Sequence, residues 1–338
     1  MLGYLILGVL LIGEVLMAEV KAYEYNRPAQ LAFWLTGEES FVEGTNGASL
    51  YVLKFPNLEA RGHILISHGF TENSRKYMEV AKSFYDEGYG VYLLDHRGHG
   101  RSTGGSSIPG LVHVEDFDDY AEDLYKVARE VLTVPGPKYL VGHSMGGAIS
   151  LGLLEAYPTF FDAAVLTAPM LGVKTGYPHW VVLAVTDFMS WLGRGHGFYP
   201  GSNKPDGPLE FHSERATSSK VRFDSYHEYM AGLKNFDIKV GGSVTWLSEA
   251  LRYTRKIMSS ESLQNIQTPI LILKAGIDAF VQEEKIDAFC KAVKSCELQF
   301  FPDSKHEIYN ERDQIFLRWR EAVLGFFDKR TEPLKGKP

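Results

Sequence analysis

Five short, nearly continuous apolar runs constrain this chain more than any other feature: GHILISH, GYGVYLLDH, KYLVGHS, DAAVLTAP and PILILKAG. Runs of this kind read as strands buried on both faces, the condition of a parallel sheet. Between them stand segments with helical spacing, SRKYMEVAKSFYDEG, VEDFDDYAEDLYKVAREVL and MGGAISLGLLEAYP, the first of them ending at a glycine. Strand and helix alternate, so the expected architecture is α/β, a mostly parallel central sheet with helices on both faces. Ahead of this pattern, LAFWLTGEESFVEG and SLYVLKFP read as two β-like stretches opening the sheet in antiparallel fashion.

The alternation breaks down over residues 171–263, which are rich in glycine, proline and aromatic side chains, and resumes with PILILKAG, EEKIDAFCKAV, ELQFFPDS and QIFLRWREAVLGFFDK. The expected division is therefore a core of residues 30–170 and 264–330 with an inserted, largely helical cap at 171–263. With 45% hydrophobic and 23% charged residues the chain buries a sizeable core, and a net charge of -7 supplies no basic stripe for a nucleic-acid backbone.

Residues 1–18 form an apolar segment interrupted by Glu14. Its length suits a signal peptide, while the lack of Lys or Arg before the apolar run leaves an uncleaved anchor as the other reading. On either reading the chain is expected to be exported, to the periplasm or beyond, or attached to a membrane by that segment. The two cysteines, Cys290 and Cys296, either close a small disulfide loop or stay as thiols, and no His or Cys sits near them at metal-ligand spacing. No metal or cofactor is expected.

The chemistry centres on Gly142-His143-Ser144-Met145-Gly146, a G-x-S-x-G pattern lying where a strand gives way to a helix. At such an elbow the serine occupies a strained turn, and the glycines let strand and helix approach without Cβ clashes. A serine hydroxyl needs a base, and a base needs an orienting carboxylate. Of eleven histidines, only His306 follows the last expected strand, at the sheet edge where open α/β sheets bind ligands. Asp278 lies just beyond the preceding strand and gives the chain order Ser144, Asp278, His306; its other reading is a helix N-cap, and Asp303 is the rival carboxylate. Backbone N–H groups of Met145 and Phe70 are the candidate donors to a developing oxyanion.

Taken together, HGFTENSRKY, LLDHRGHGRSTG, VGHSMGGAI, LTAPML, VGGSVTWLSEAL and FPDSKHEIYNE resemble the bacterial lysophospholipases of monoacylglycerol lipase type, within the α/β-hydrolase superfamily. The resemblance spans roughly Gly62 to Lys329. It implies a cofactor-independent Ser-Asp-His hydrolase acting on single-chain acyl esters, and it maps the triad onto Ser144, Asp278 and His306. The substrate would be a lysophospholipid or a monoacylglycerol, met at a membrane surface. Aromatic residues of the cap, Tyr177, Trp180, Trp191 and Tyr226 among them, are candidates to line an apolar tunnel above the serine. A serine aminopeptidase of the same fold would instead need an acidic group for the substrate amine, for which the cap offers Glu228 and Glu249.

Overall fold

The computed structural model describes residues 27–202, 211, 215–234 and 236–331. Its frame is an eight-stranded sheet. In chain order the strands are β1 (Glu38–Glu43), β2 (Ser49–Phe55), β3 (His63–Ser67), β4 (Gly90–Leu94), β6 (Lys138–His143), β7 (Ala163–Thr167), β9 (Ile270–Ile277) and β10 (Cys296–Lys305). Across the sheet they run β1-β2-β4-β3-β6-β7-β9-β10, and a two-stranded ribbon of β5 (Leu111–Val112) and β8 (Gly241–Gly242) stands apart. β2 pairs antiparallel with both β1 and β4, and every other pairing in the large sheet is parallel.

The apolar runs are strands because both of their faces are covered. Leu65, Leu140, Ala164 and Ile272 face one buried cluster, where they meet α3 (Asp118–Val131) and α4 (Met145–Ala156). Their neighbours Ile64, Ile66, Val141, Val165 and Leu271 face the opposite cluster, with α2 (Met78–Asp86) and α10 (Asp313–Thr331). The side-chain period of two turns each continuous apolar run into two buried faces. On α3 the buried positions Tyr120, Leu124, Val127, Ala128 and Val131 follow helical spacing, which fixes the face laid on the sheet.

The opening of the chain differs from the sequence expectation. Residues 27–34 form a helix, α1, and only Glu38–Glu43 of LAFWLTGEESFVEG is strand. The reason is a helical period: Gln30 and Trp34, four apart, are both buried, while Phe33 stacks on Phe55 with ring centroids 4.2 Å apart.

Between β7 and β9 the chain forms α5 (His179–Trp191), α6 (Lys220–Ala231), α7 (Val244–Ile257) and α8 (Ser260–Asn265). These helices are held differently. Trp246, Ala250, Tyr253 and Ile257 of α7 share the cluster of α3 and α4, so this helix belongs by packing to the layer over the sheet. α6 is tied down by the buried Arg222, which donates to Glu79 on α2 at 2.8 and 3.0 Å, to Asp313 on α10 at 2.6 Å and to the Glu311 carbonyl at 2.7 Å. α5 has a single buried residue, Thr186. α9 (Glu283–Ala292) follows β9, and Cys290 near its end is disulfide-bonded to Cys296 at the start of β10.

Export or membrane attachment is not upheld. Among the described residues no helix is long and apolar enough to cross a membrane, and the apolar segment 1–18 on which that expectation rested lies outside them.

Candidate active site

Ser144 sits in the turn between β6 and α4 with φ 50° and ψ -117°, a left-handed conformation that costs a non-glycine residue on the order of 1–3 kcal/mol. The turn survives because Gly142 and Gly146, two residues to either side, have no side chains. A Cβ on Gly146 would lie 2.2 Å from the Ser67 carbonyl oxygen and 2.5 Å from that of His68, and one on Gly142 would lie 2.6 Å from Ser150 Oγ. The Ser144 N–H donates to the Thr167 carbonyl at 3.1 Å, and its own carbonyl accepts from Ala148 and Met170, so the strained residue is held from three directions.

His306 follows the last residue of β10 and Asp278 the last residue of β9, at the same sheet edge as the β6 turn. The Ser144 hydroxyl lies 2.8 Å from His306 Nε2, and His306 Nδ1 lies 2.7 Å from Asp278 Oδ2. In the tautomer this relay requires, Nδ1–H donates to the carboxylate and Nε2 accepts from the hydroxyl. All three side chains are at most 8% exposed. Asp278 also accepts the N–H groups of Phe280 and Val281 through Oδ1, at 2.8 and 3.1 Å. It is not the N-cap of α9, which is Gln282; its Oδ1 instead holds the turn after β9 while its second oxygen faces the imidazole. Burial opposes its ionisation, but His306 and those two N–H groups outweigh burial and hold its pKa below the ordinary value. Asp303 pairs instead with the exposed Arg318 at 2.6 Å.

The N–H groups of Phe70 and Met145 have no acceptor among the described residues, and the start of α4 adds a helix N-terminus beside the serine. The Phe70 turn is built from below. Glu72, which sequence reasoning overlooked, is buried and accepts the Gly69 N–H at 2.7 Å, the Tyr77 and Tyr309 hydroxyls at 2.7 and 2.8 Å, and Lys76 Nζ at 2.8 Å. Burial opposes its charge, yet Lys76 and these donors keep it ionised, with a pKa well below the carboxylate range. Lys76 also binds Glu307, next to His306, at 2.6 Å. The available signal was Glu72 four residues before Lys76, a spacing that is far more often a solvated helix pair.

The cap aromatics fall into two groups. Tyr177, Trp180 and Trp191 are 72, 74 and 79% exposed, so they stand in solvent on and beside α5 and do not line an enclosed tunnel. The reason is that α5 has too little core beneath it to bury its apolar residues. Tyr226 is half-buried on α6, where its hydroxyl accepts from Asn73 Nδ2 at 2.9 Å as a contact between cap and core. Nearer the serine are Phe70, stacked on Trp246 at 4.0 Å, and Phe280, 5.0 Å from the His306 ring.

A parallel sheet carrying a serine elbow, with a histidine and a carboxylate on later strand ends, defines a serine hydrolase of the α/β-hydrolase fold. The family model described as serine aminopeptidase S33 matches residues 58–313, and the chain belongs to that family. It is 28% identical over 312 residues to lysophospholipase L2 of Escherichia coli K12, covering 89% of this chain and 90% of that protein. It is 28% identical over 283 residues to a monoacylglycerol lipase of Mycolicibacterium smegmatis, covering 82% and 92%. Among solved structures, a thermostable carboxyl esterase of Bacillus coagulans crystallised with glycerol superposes with a TM-score of 0.70 at 20% identity, over 87% of this chain and 99% of that one. The chain is a serine carboxylic ester hydrolase.

Proposed function

We propose that this hydrolase removes the acyl chain from single-chain lipid esters, monoacylglycerols or lysophospholipids, with Ser144 as nucleophile, His306 as base and Asp278 as its orienting carboxylate. The observation that carries the reading is the continuous relay from Ser144 Oγ to His306 at 2.8 Å and on to Asp278 at 2.7 Å. Ser144 Oγ attacks the acyl carbonyl as His306 Nε2 takes its proton, and the Phe70 and Met145 N–H groups receive the charge that develops on oxygen. The imidazolium, stabilised by Asp278, then protonates the leaving glycerol-type oxygen. Water, deprotonated by the same imidazole, cleaves the acyl-enzyme and releases the fatty acid.

The lysophospholipase and monoacylglycerol lipase relatives support a lipid ester as substrate. The exposed apolar face of α5 supports contact with a lipid–water interface, since Trp180, Phe188 and Trp191 would otherwise stand in water at a cost of about 25 cal/mol per Å². Peptide hydrolysis is the weaker reading, because the two carboxylates available to an amine are taken: Glu228 pairs with Arg27 at 3.5 Å and Glu249 with Arg252 at 3.2 Å.

The test is fatty-acid release by the purified chain from a monoacylglycerol and from lysophosphatidylcholine, beside Ser144→Ala. Release from at least one lipid, reduced on the order of 10⁴-fold or more in the variant, is expected. Absence of release from either lipid by a folded protein that still cleaves short soluble esters would overturn the lipid assignment.

A further inference from the structure

On the seam between core and cap, two histidines and a glutamate from distant parts of the chain converge. His113 follows β5, Glu115 lies two residues on, and His196 comes from the loop after α5. Glu115 Oε1 is 3.1 Å from His113 Nε2 and 3.2 Å from His196 Nε2, and the two imidazole rings are 4.3 Å apart at 33°. One ligand atom from each residue lies within 4.8 Å of the other two. Tetrahedral zinc with bonds of about 2.0–2.1 Å separates its ligand atoms by about 3.3 Å, so two of the three edges already have the length of a coordination edge.

The backbone holding these residues is fixed to one turn. Ser243 N–H donates to the Val112 carbonyl, beside His113, at 2.9 Å. Val244 and Thr245 N–H groups donate to the Gly197 and Gly195 carbonyls, on either side of His196, at 2.9 and 3.0 Å. His113 Nδ1 is also 2.8 Å from Ser243 Oγ, the outer hydrogen bond that orients a metal-bound imidazole and leaves Nε2 for the cation. Two imidazoles and one carboxylate suit a late divalent transition ion such as zinc and suit calcium or magnesium poorly.

We propose that His113, Glu115 and His196 form a zinc-type site, completed by solvent, that ties the loop after α5 to the core. The donors come from positions 113, 115 and 196, so no spacing motif announces the site. It lies outside the ester chemistry, and its existence does not depend on the substrate assignment.

The test uses the full chain without a polyhistidine tag, stripped with a chelator and titrated with zinc chloride by calorimetry and with Co²⁺ by visible absorption. One ion per chain, a tetrahedral-type Co²⁺ spectrum and a zinc-dependent rise in Tm are expected. His196→Ala and Glu115→Gln change side chains that are 69 and 67% exposed, so both variants should fold and cleave a soluble ester as the parent does. Each should weaken zinc binding on the order of 100-fold and abolish the rise in Tm. Absence of binding up to about 100 μM zinc would mean that these groups form only a hydrogen-bonded His-Glu-His bridge and would overturn the proposal, a 100 μM Kd being only about 5.5 kcal/mol. Binding unchanged in His196→Ala would place the ion elsewhere and overturn it equally.

Discussion

His143 neighbours Ser144 in sequence and His306 in space, its ring 4.8 Å from that of His306. Burial of the imidazole lowers its pKa from the ordinary 6.5 to about 4, and His68, His96 and His99 are lowered by burial as well. The unfolded chain protonates His143 near pH 6.5, whereas the folded chain resists until about pH 4. Its contribution is therefore complete above the unfolded value and is lost as pH falls toward the folded one, a change on the order of 3 kcal/mol. Tm should drop across that window, and His143→Gln should flatten part of the slope. An unchanged slope in the variant would exclude His143 as a source of the acid sensitivity. At this scale the sequence was most informative where a motif met a strand end, as at Ser144. On Glu72 it offered only the ambiguous spacing to Lys76, because nothing in a single carboxylate foretells four donors arriving from three separate segments.

Among the helices, α5 is the one whose role the pattern of residues could not decide. In HWVVLAVTDFMSW the positions from Trp180 to Val185 are apolar without a break, so no face is marked as inward and the period carries no direction. The buried strands were legible for the opposite reason, since a short apolar run has no wet face to choose. If α5 docks on lipid aggregates, replacing Trp180 and Trp191 with glutamate should cut turnover of micellar or vesicle-bound substrate about tenfold or more. Turnover of a soluble short-chain ester should hardly change, because neither side chain touches the relay. Equal loss on both substrates would assign these residues to the integrity of the cap and remove the interface from the account.

For the molecule as a whole, Arg222 connects α6 to both α2 and α10, although its partners lie 143 and 91 residues away in sequence. Such long-range pairing leaves no trace in local spacing, and sequence reasoning passed over it. Arg222→Met should cost about 2–4 kcal/mol in urea unfolding, the usual value for breaking a buried pair being reduced because Glu79 and Asp313 retain some solvent. A cost below about 0.5 kcal/mol would mean that packing alone holds α6. The convergence of Ser144, Asp278 and His306 was legible despite comparable separations, because a parallel sheet delivers successive strand ends to one edge. The same topology fixes when the chain becomes an enzyme during its own synthesis. Asp278 follows β9 and His306 follows β10, and His306 stands 162 residues after the strained serine. At about 5–20 residues per second, a nascent chain carries Ser144 without His306 for roughly 8–30 s. With the proposed relay of Ser144, His306 and Asp278, ester hydrolysis waits until the last two strands dock.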